Sequence, residues 1–220
     1  MTLMSEEELK REIAGGEGSA LEFKSTLRWN IKANKNDDAI TLAVLKTIAG
    51  FLNTGPGLVF IGVRDDGSVH GIAEDGFKND DQFVVTLYGY VKTAMGPDVA
   101  ACVNATVHQL DGKTVCRISV SPSPSPVFVT FATEKDAFFI RTGPDTTKLP
   151  ASKHYLYIKE HWTSSTPEKP RPKIKLEYVS PREGEECFRF HNLGEAAAFN
   201  VSTEIPLSDT LWAVKFGPCC

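Results

Sequence analysis

The chain has no long hydrophobic run and little cysteine. No stretch approaches the roughly 18 apolar residues that a membrane-spanning helix needs, and the first residues, MTLMSEEELK, have neither the basic nor the apolar region of a secretory signal peptide. The five cysteines form no Cys-x-x-Cys pair and no mixed Cys/His spacing typical of zinc. We therefore expect a cytoplasmic protein without a membrane partner, in which Cys102 and Cys116 are buried free thiols.

An excess of positive charge is also missing. The formal net charge is -4, which excludes a uniformly basic surface, so that any contact with nucleic acid must be local. One segment fits such a contact: FKSTLRWNIKANKN, residues 23–36, carries four cations and no acidic residue. The candidate phosphate contacts are Lys24, Arg28, Lys32 and Lys35, although a solvated loop would have the same composition. Trp29 either stacks on a base or covers the helix that follows.

The periodicity of apolar residues predicts an α+β fold, a small and mostly antiparallel sheet packed with helices. Strands alternate Leu21 with Phe23, or run continuously apolar as in LVFIGV, whereas helices show apolar residues three and four apart. The predicted helices span residues 5–13, 37–52, 79–94 and 151–162, and the predicted strands span 19–24, 58–63, 100–109, 113–120, 126–131 and 137–141.

The composition changes at TSSTPEKPRPK, residues 163–173, which predicts a Pro-rich linker. We therefore divide the chain into a domain at 1–162, the linker, and a β-rich segment at 174–220. That segment is shorter than a complete immunoglobulin-like sandwich, so we expect an incomplete domain. Together with the acidic net charge, it leaves a protein-interaction scaffold open as one alternative function.

Three carboxylates are candidates for a site. Glu22 shares a strand face with Lys24, Glu17 lies in the glycine-rich loop just upstream, and Asp65 follows the apolar strand at 58–63. If these strands are neighbours, the three would repel one another unless a divalent cation neutralises them. Oxygen ligands favour Mg²⁺ or Mn²⁺, which stabilise charge in phosphodiester hydrolysis. The alternative is that the carboxylates form a solvated face. His70 is either a turn residue or a minor member of the same site.

The motifs EGSALEFK, FLNTGPGLVFIGVRDDGSVHGI and FFIRTG, in this order and spacing, resemble the Schlafen AlbA_2 family over about residues 10–162. The resemblance implies a small sheet packed on helices that binds DNA or RNA. It also implies that Glu17, Glu22 and Asp65 are the metal ligands of a catalytic triad that cuts structured RNA, with Lys24 beside the scissile phosphate. Arg141, in the Arg-x-Gly turn, would be a further phosphate contact.

Two features depart from the family. Pro56 replaces the first of two glycines in the loop, and the chain has one lobe where animal Schlafens join two. A single lobe would need a second copy to enclose a duplex, which makes a homodimer a candidate. Many members are known only as DNA-binding modules, so the resemblance leaves two functions open. One is a metal-dependent endoribonuclease, and the other is a non-catalytic DNA-binding or regulatory module.

Overall fold

The computed structural model describes residues 4–163, 174–182, 185–192, 202–207 and 210–215. The chain divides into two compact units, Met1–Thr163 and Ser164–Cys220. The helices of the first unit are α1 (Glu6–Ala14), α2 (Asp38–Thr54), α3 (Asp80–Met95) and α4 (Ala151–Ile158). Its strands are β1 (Leu21–Lys24), β2 (Trp29–Asn30), β3 (Lys35–Asn36), β4 (Gly57–Ile61), β5 (Val103–Leu110), β6 (Lys113–Val120), β7 (Phe128–Phe131), β8 (Glu134–Thr142) and β9 (Asp145–Leu149). No described helix is both long enough and apolar enough to cross a membrane.

Side chains just before the first three helices accept hydrogen bonds from the free backbone N–H groups of the first turn. Ser5 and Glu8 form a capping box on α1. Asp37 accepts from the N–H of Ala39 at the start of α2, and Asn79 accepts from that of Gln82 at the start of α3. By capping these N–H groups, the polar residues fix the position at which each helix begins.

The central sheet has four strands in the order β1-β4-β6-β5, with β1 parallel to β4 and the other pairs antiparallel. A parallel pair needs a long connection, and α2 lies within it. Phe23 is paired with Phe60 in register, and both pack with Leu9 and Ile13 of α1 on one face of the sheet. The other face carries the larger core, in which Val59 packs with residues of α2 and α3.

A second sheet, β7-β8-β9, is antiparallel and packs against α2. Asn53, near the end of α2 and fully buried, donates from its side chain to the carbonyl oxygens of Val127 (2.8 Å) and Phe139 (2.9 Å). Gly50 allows the close approach, because a Cβ there would lie 3.3 Å from the Cδ of Arg141. The second sheet is therefore fixed to the same helix that covers the first.

The predicted α+β class is confirmed. Some boundaries differ: residues Pro97–Cys102 form a 3-10 helix, so that β5 begins at Val103, and α4 ends at Ile158 in a π-helical segment, Lys159–Thr163. The widened helix brings the indole N–H of Trp162 to 3.0 Å from the carbonyl oxygen of Ser123. The β2–β3 hairpin lies in the segment that the sequence analysis treated only as a basic stretch.

The second unit contains two antiparallel hairpins where it is described. The first pairs β10 (Ile174–Arg182) with β11 (Glu185–Asn192), and the other pairs β12 (Ser202–Leu207) with β13 (Thr210–Lys215). Strands were predicted here from the alternating pattern. The sequence predicts a Pro-rich linker at 163–173; its first residue, Thr163, ends the π-helical segment, and residues 164–173 lie outside the described residues.

Candidate nucleic-acid interface

The basic segment after β1 folds into a short two-stranded hairpin. Trp29 pairs with Asn36, and Asn30 pairs with Lys35. The hydroxyl of Thr26 donates to the carbonyl oxygen of Trp29 at 2.6 Å, which closes the turn that leads into β2. The hairpin is therefore a defined structure and not an open loop.

Asp75 holds the start of this hairpin in place. Its carboxylate is almost fully buried and accepts from three successive backbone N–H groups, those of Leu27, Arg28 and Trp29, at 2.8–3.1 Å. Burial raises the pKa of Asp75, and the three N–H bonds and the Arg28 charge oppose that rise. Sequence reasoning missed this residue, because its partners lie almost fifty positions away.

Arg28 completes the same anchor. Its guanidinium donates to the carbonyl oxygen of Asp75 through Nε (3.0 Å) and Nη2 (2.8 Å), and it lies 3.9 Å from the ring centroid of Phe77. The sequence analysis predicted Arg28 as a phosphate contact. In the structure Nε and Nη2 donate to the backbone and the guanidinium lies over an aromatic ring, so we assign Arg28 to holding the hairpin.

A pocket with a volume of about 380 Å³ lies between the hairpin, the end of β1 and the first turns of α2. We call it the hairpin pocket; it is lined by Lys24, Ser25, Thr26, Trp29, Asn30, Ile31, Lys32, Ile40 and Ala43. Lys24, Trp29 and Lys32 are three of the predicted nucleic-acid contacts, and none of the lining residues is acidic. Lys35 lies on β3 and is exposed. The lining of this pocket thus contains two of the five predicted basic contacts, Lys24 and Lys32.

Lys24 is held by a chain of charged groups behind the pocket. Its ammonium donates to Glu22 at 2.5 Å and to the carbonyl oxygen of Phe23 at 3.0 Å. The other Glu22 oxygen accepts from Arg141 at 2.9 Å. One carboxylate between two cations leaves a net charge of about plus one in this cluster.

Arg141 is enclosed at the back of that chain. Its side chain is only 3% exposed, and it also donates to the carbonyl oxygen of Gly18 (2.6 Å) and the hydroxyl of Thr146 (3.0 Å). Its Nε is buried without a hydrogen-bond partner. Arg141 was predicted as a phosphate contact; here it joins β8 and β9 to the start of β1 from inside the protein.

Glu17 and Asp65 have other contacts than Glu22 and Lys24. Glu17 accepts from the backbone N–H of Phe23 at 2.7 Å, which covers the outer edge of β1. Asp65 lines a second cavity with Ile13 and Phe23 on the α1 face of the sheet. Glu22 follows Phe23 in an extended strand and faces the opposite side. The structure therefore pairs Glu22 with Lys24, whereas Asp65 lines a cavity that neither of these two residues lines.

A divalent cation does not fit these residues as they are arranged. Among the described residues, no group of three or more His, Cys, Asp or Glu side chains is placed to hold a metal ion. Glu22 is already neutralised by two cations, so it does not need a metal to offset repulsion from other carboxylates.

His70 belongs to a separate polar cluster. Its Nδ1 lies 2.8 Å from Nη2 of Arg64, and its Nε2 lies 3.0 Å from the carboxylate of Glu74. Asp66, in the same turn as Asp65, accepts from Ser68, and these hydrogen bonds lower the pKa of Asp66. None of these residues lines the hairpin pocket.

Asp37 links the hairpin to α2. Its carboxylate accepts from the side-chain amide of Asn30 (2.8 Å) and from the backbone N–H of Ala39 (2.9 Å). The bond from Asn30 is the main cause that lowers the pKa of Asp37, and the N–H bond adds to it. The hairpin is thus tied to the helix N-terminus on one side and to Asp75 on the other.

Comparisons with known proteins identify the family of this chain. A search of curated proteins found no significant match. The solved structure of the DIP2311 protein from Corynebacterium diphtheriae aligns with 73% of this chain at 16% sequence identity and a TM-score of 0.49, and the match spans only 26% of that protein. The sequence profile described as Schlafen, AlbA_2 matches residues 17–150, more than half of the chain. The chain therefore belongs to the Schlafen AlbA_2 family.

Proposed function

We propose that the first unit binds nucleic acid through the hairpin pocket and the lysines around it. The observation that carries this proposal is the grouping of Lys24, Trp29 and Lys32 on one concave surface without an acidic lining residue. Phosphate binding needs accessible cations, and unpaired bases stack on accessible aromatic rings; Trp29 is half-buried. Family membership supports the same class of ligand.

Binding should depend on salt. Each phosphate that a lysine neutralises releases counterions, with a slope of log K against log salt of about -0.7 per contact on a single strand. Three contacts, from Lys24, Lys32 and Lys35, predict a slope of about -2. The low number of accessible cations predicts modest affinity at physiological salt.

The double substitution Lys32→Ala/Lys35→Ala tests the surface. We expect affinity for a labelled 20-nucleotide RNA to fall roughly tenfold and the salt slope to shrink by about 1.4, because two phosphate contacts are lost. Fluorescence anisotropy at several salt concentrations measures both quantities. Lys92→Ala/Lys135→Ala changes the net charge equally, at exposed positions that do not line the pocket, and should leave the slope unchanged. Equal effects of the two pairs would contradict the proposal.

The alternative function is metal-dependent cleavage of RNA, and the arrangement of the carboxylates does not support it. A metal-dependent triad of Glu17, Glu22 and Asp65 needs all three around one cation, whereas Asp65 lines a cavity beside α1 that neither glutamate lines. We propose that this chain binds nucleic acid without cutting it.

Incubation with tRNA and duplex DNA, in Mn²⁺ or in a chelator, tests the absence of cleavage. We expect both substrates to stay intact on denaturing gels in either condition. The control is Glu22→Ala, which removes one candidate ligand. Mn²⁺-dependent cleavage by the wild-type protein that disappears in Glu22→Ala would restore the triad and overturn this assignment.

A further inference from the structure

We propose that the hairpin pocket receives one unpaired base, so that the protein prefers single-stranded nucleic acid to a duplex. This inference rests on the proposed function and adds the class of strand to it. It comes from the shape and chemistry of the pocket floor, which the lysines alone do not explain.

The lining of the pocket combines apolar residues, which we call its floor, with Lys24 and Lys32, which we call its rim. Trp29, Ile31, Ile40 and Ala43 supply apolar surface, and Ile31 is 44% exposed although it lies between polar neighbours. A nucleobase has apolar faces and is linked to an anionic backbone. Its ring would cover Ile31 and Trp29 while the adjoining phosphates reach Lys24 and Lys32.

The pocket is organised before any ligand arrives. The backbone N–H of Trp29 donates to the carboxylate of Asp75 at 3.1 Å, and its carbonyl oxygen accepts from the hydroxyl of Thr26 at 2.6 Å. In addition, β2 pairs with β3. Since the backbone on both sides of the indole is fixed, stacking on a base costs little ordering of the protein. If Trp29 were on a mobile loop, ordering that loop would offset part of the free energy of stacking.

Two polar side chains of the pocket, those of Thr26 and Asn30, already have partners. The hydroxyl of Thr26 donates to Trp29, and the Asn30 side chain donates to Asp37 and accepts from the N–H of Ala33. Few groups are left to read the hydrogen-bonding edge of a base. We therefore expect little discrimination between bases, as is usual where stacking dominates.

A base within a duplex is paired and stacked on its neighbours, so it cannot enter a concave site unless it is extruded. A duplex would reach only the lysine rim. The preference for single strands should therefore come from the aromatic and apolar floor, while the rim contributes to both kinds of ligand.

The first test uses the wild-type protein with three labelled DNA probes at fixed salt: oligo-dT of 12 nucleotides, the same backbone with abasic sites throughout, and a 12-base-pair duplex. We expect oligo-dT to bind at least tenfold more tightly than either of the others, as measured by anisotropy. Equal binding of oligo-dT and the abasic strand would overturn the inference while leaving polyanion binding intact. Absence of binding to all three would reject the proposed function as well.

The second test changes the ring. Trp29→Ala should weaken binding of oligo-dT about tenfold, within the range known for a lost stacking contact, and should change binding of the abasic strand little. Trp29→Phe keeps a stacking face and should stay within about threefold of the wild type. Tyr155→Ala removes a ring that is 71% exposed on α4, away from the pocket, and should have no effect. A Trp29→Ala protein that binds oligo-dT like the wild type would contradict the base pocket.

Discussion

Asp75→Ala is expected to lower the free energy of unfolding of the first unit by about 4 kcal/mol, because it leaves three buried or half-buried N–H groups without an acceptor. Those groups belong to Leu27, Arg28 and Trp29, and their bonds to the carboxylate are 2.8–3.1 Å long. Water cannot easily replace the carboxylate, since Asp75 is only 1% exposed. Arg28, which donates to the backbone of Asp75, would lose its alignment too.

Thermal unfolding measures this loss. For a unit of this size, about 4 kcal/mol corresponds to a fall in Tm of roughly 10 °C. Asp75→Asn keeps one acceptor oxygen, and Oδ1 alone accepts from all three N–H groups, so a smaller fall is expected. Asp98→Ala, at an exposed position, should change Tm little. If Asp75→Ala unfolded within about 2 °C of the wild type, Asp75 would not be the anchor of the hairpin.

The same carboxylate also connects stability with binding. Asp75 fixes the backbone of Trp29, and Trp29 lines the hairpin pocket. At a temperature where Asp75→Asn is still folded, its affinity for a single strand should already be reduced, because the ring must be ordered on binding.

Local patterns in the sequence predicted the faces of β1 correctly. The alternation of Leu21, Glu22, Phe23 and Lys24 places the apolar pair toward α1 and the charged pair on the opposite face, and the basic segment after it lines the surface proposed here. The helix starts were predictable for a similar reason, since a capping side chain acts over two or three residues.

Beyond the end of β4, the alternation of strand faces no longer predicts where side chains lie. Phe60 and Val63 both pack under α1 although they are three residues apart, because Gly62 adopts a positive φ of 94° and breaks the alternation. The positive φ and the close approach of Gly71, 3.1 Å from a Cβ built on Gly62, both require glycine. The position of Asp65 therefore depends on a backbone feature that no periodicity reveals.

Long-range partners were equally hidden. Asp75 and Leu27 are 48 residues apart, and Arg141 and Glu22 are 119 apart. The charge of Glu22 indicated a site from sequence, but only the fold shows that the site contains two cations and one carboxylate.

Arg141→Met is expected to lower the free energy of unfolding by about 3 kcal/mol, because it removes a buried ion pair from one side. Arg141 donates to Glu22, Thr146 and the carbonyl oxygen of Gly18 at 2.6–3.0 Å. The partial exposure of Glu22, 17% for its side chain, allows some water to replace the guanidinium and keeps the loss below that of a fully buried pair. Arg11→Met removes an exposed arginine, 79% accessible, and should cost less than 0.5 kcal/mol.

The double substitution Glu22→Gln/Arg141→Met separates a structural ion pair from a metal site. Glu22→Gln alone leaves the Arg141 charge buried without a counterion, so the double variant should be more stable than the sum of the two losses predicts, by about 1–3 kcal/mol. Chemical denaturation of the four proteins gives this coupling energy. Glu22→Gln also removes a negative charge beside Lys24 and should therefore strengthen binding of a single strand in a chelating buffer. A metal ligand would show the reverse: Glu22→Gln would abolish a Mn²⁺-dependent increase in affinity, and the coupling to Arg141 would be near zero.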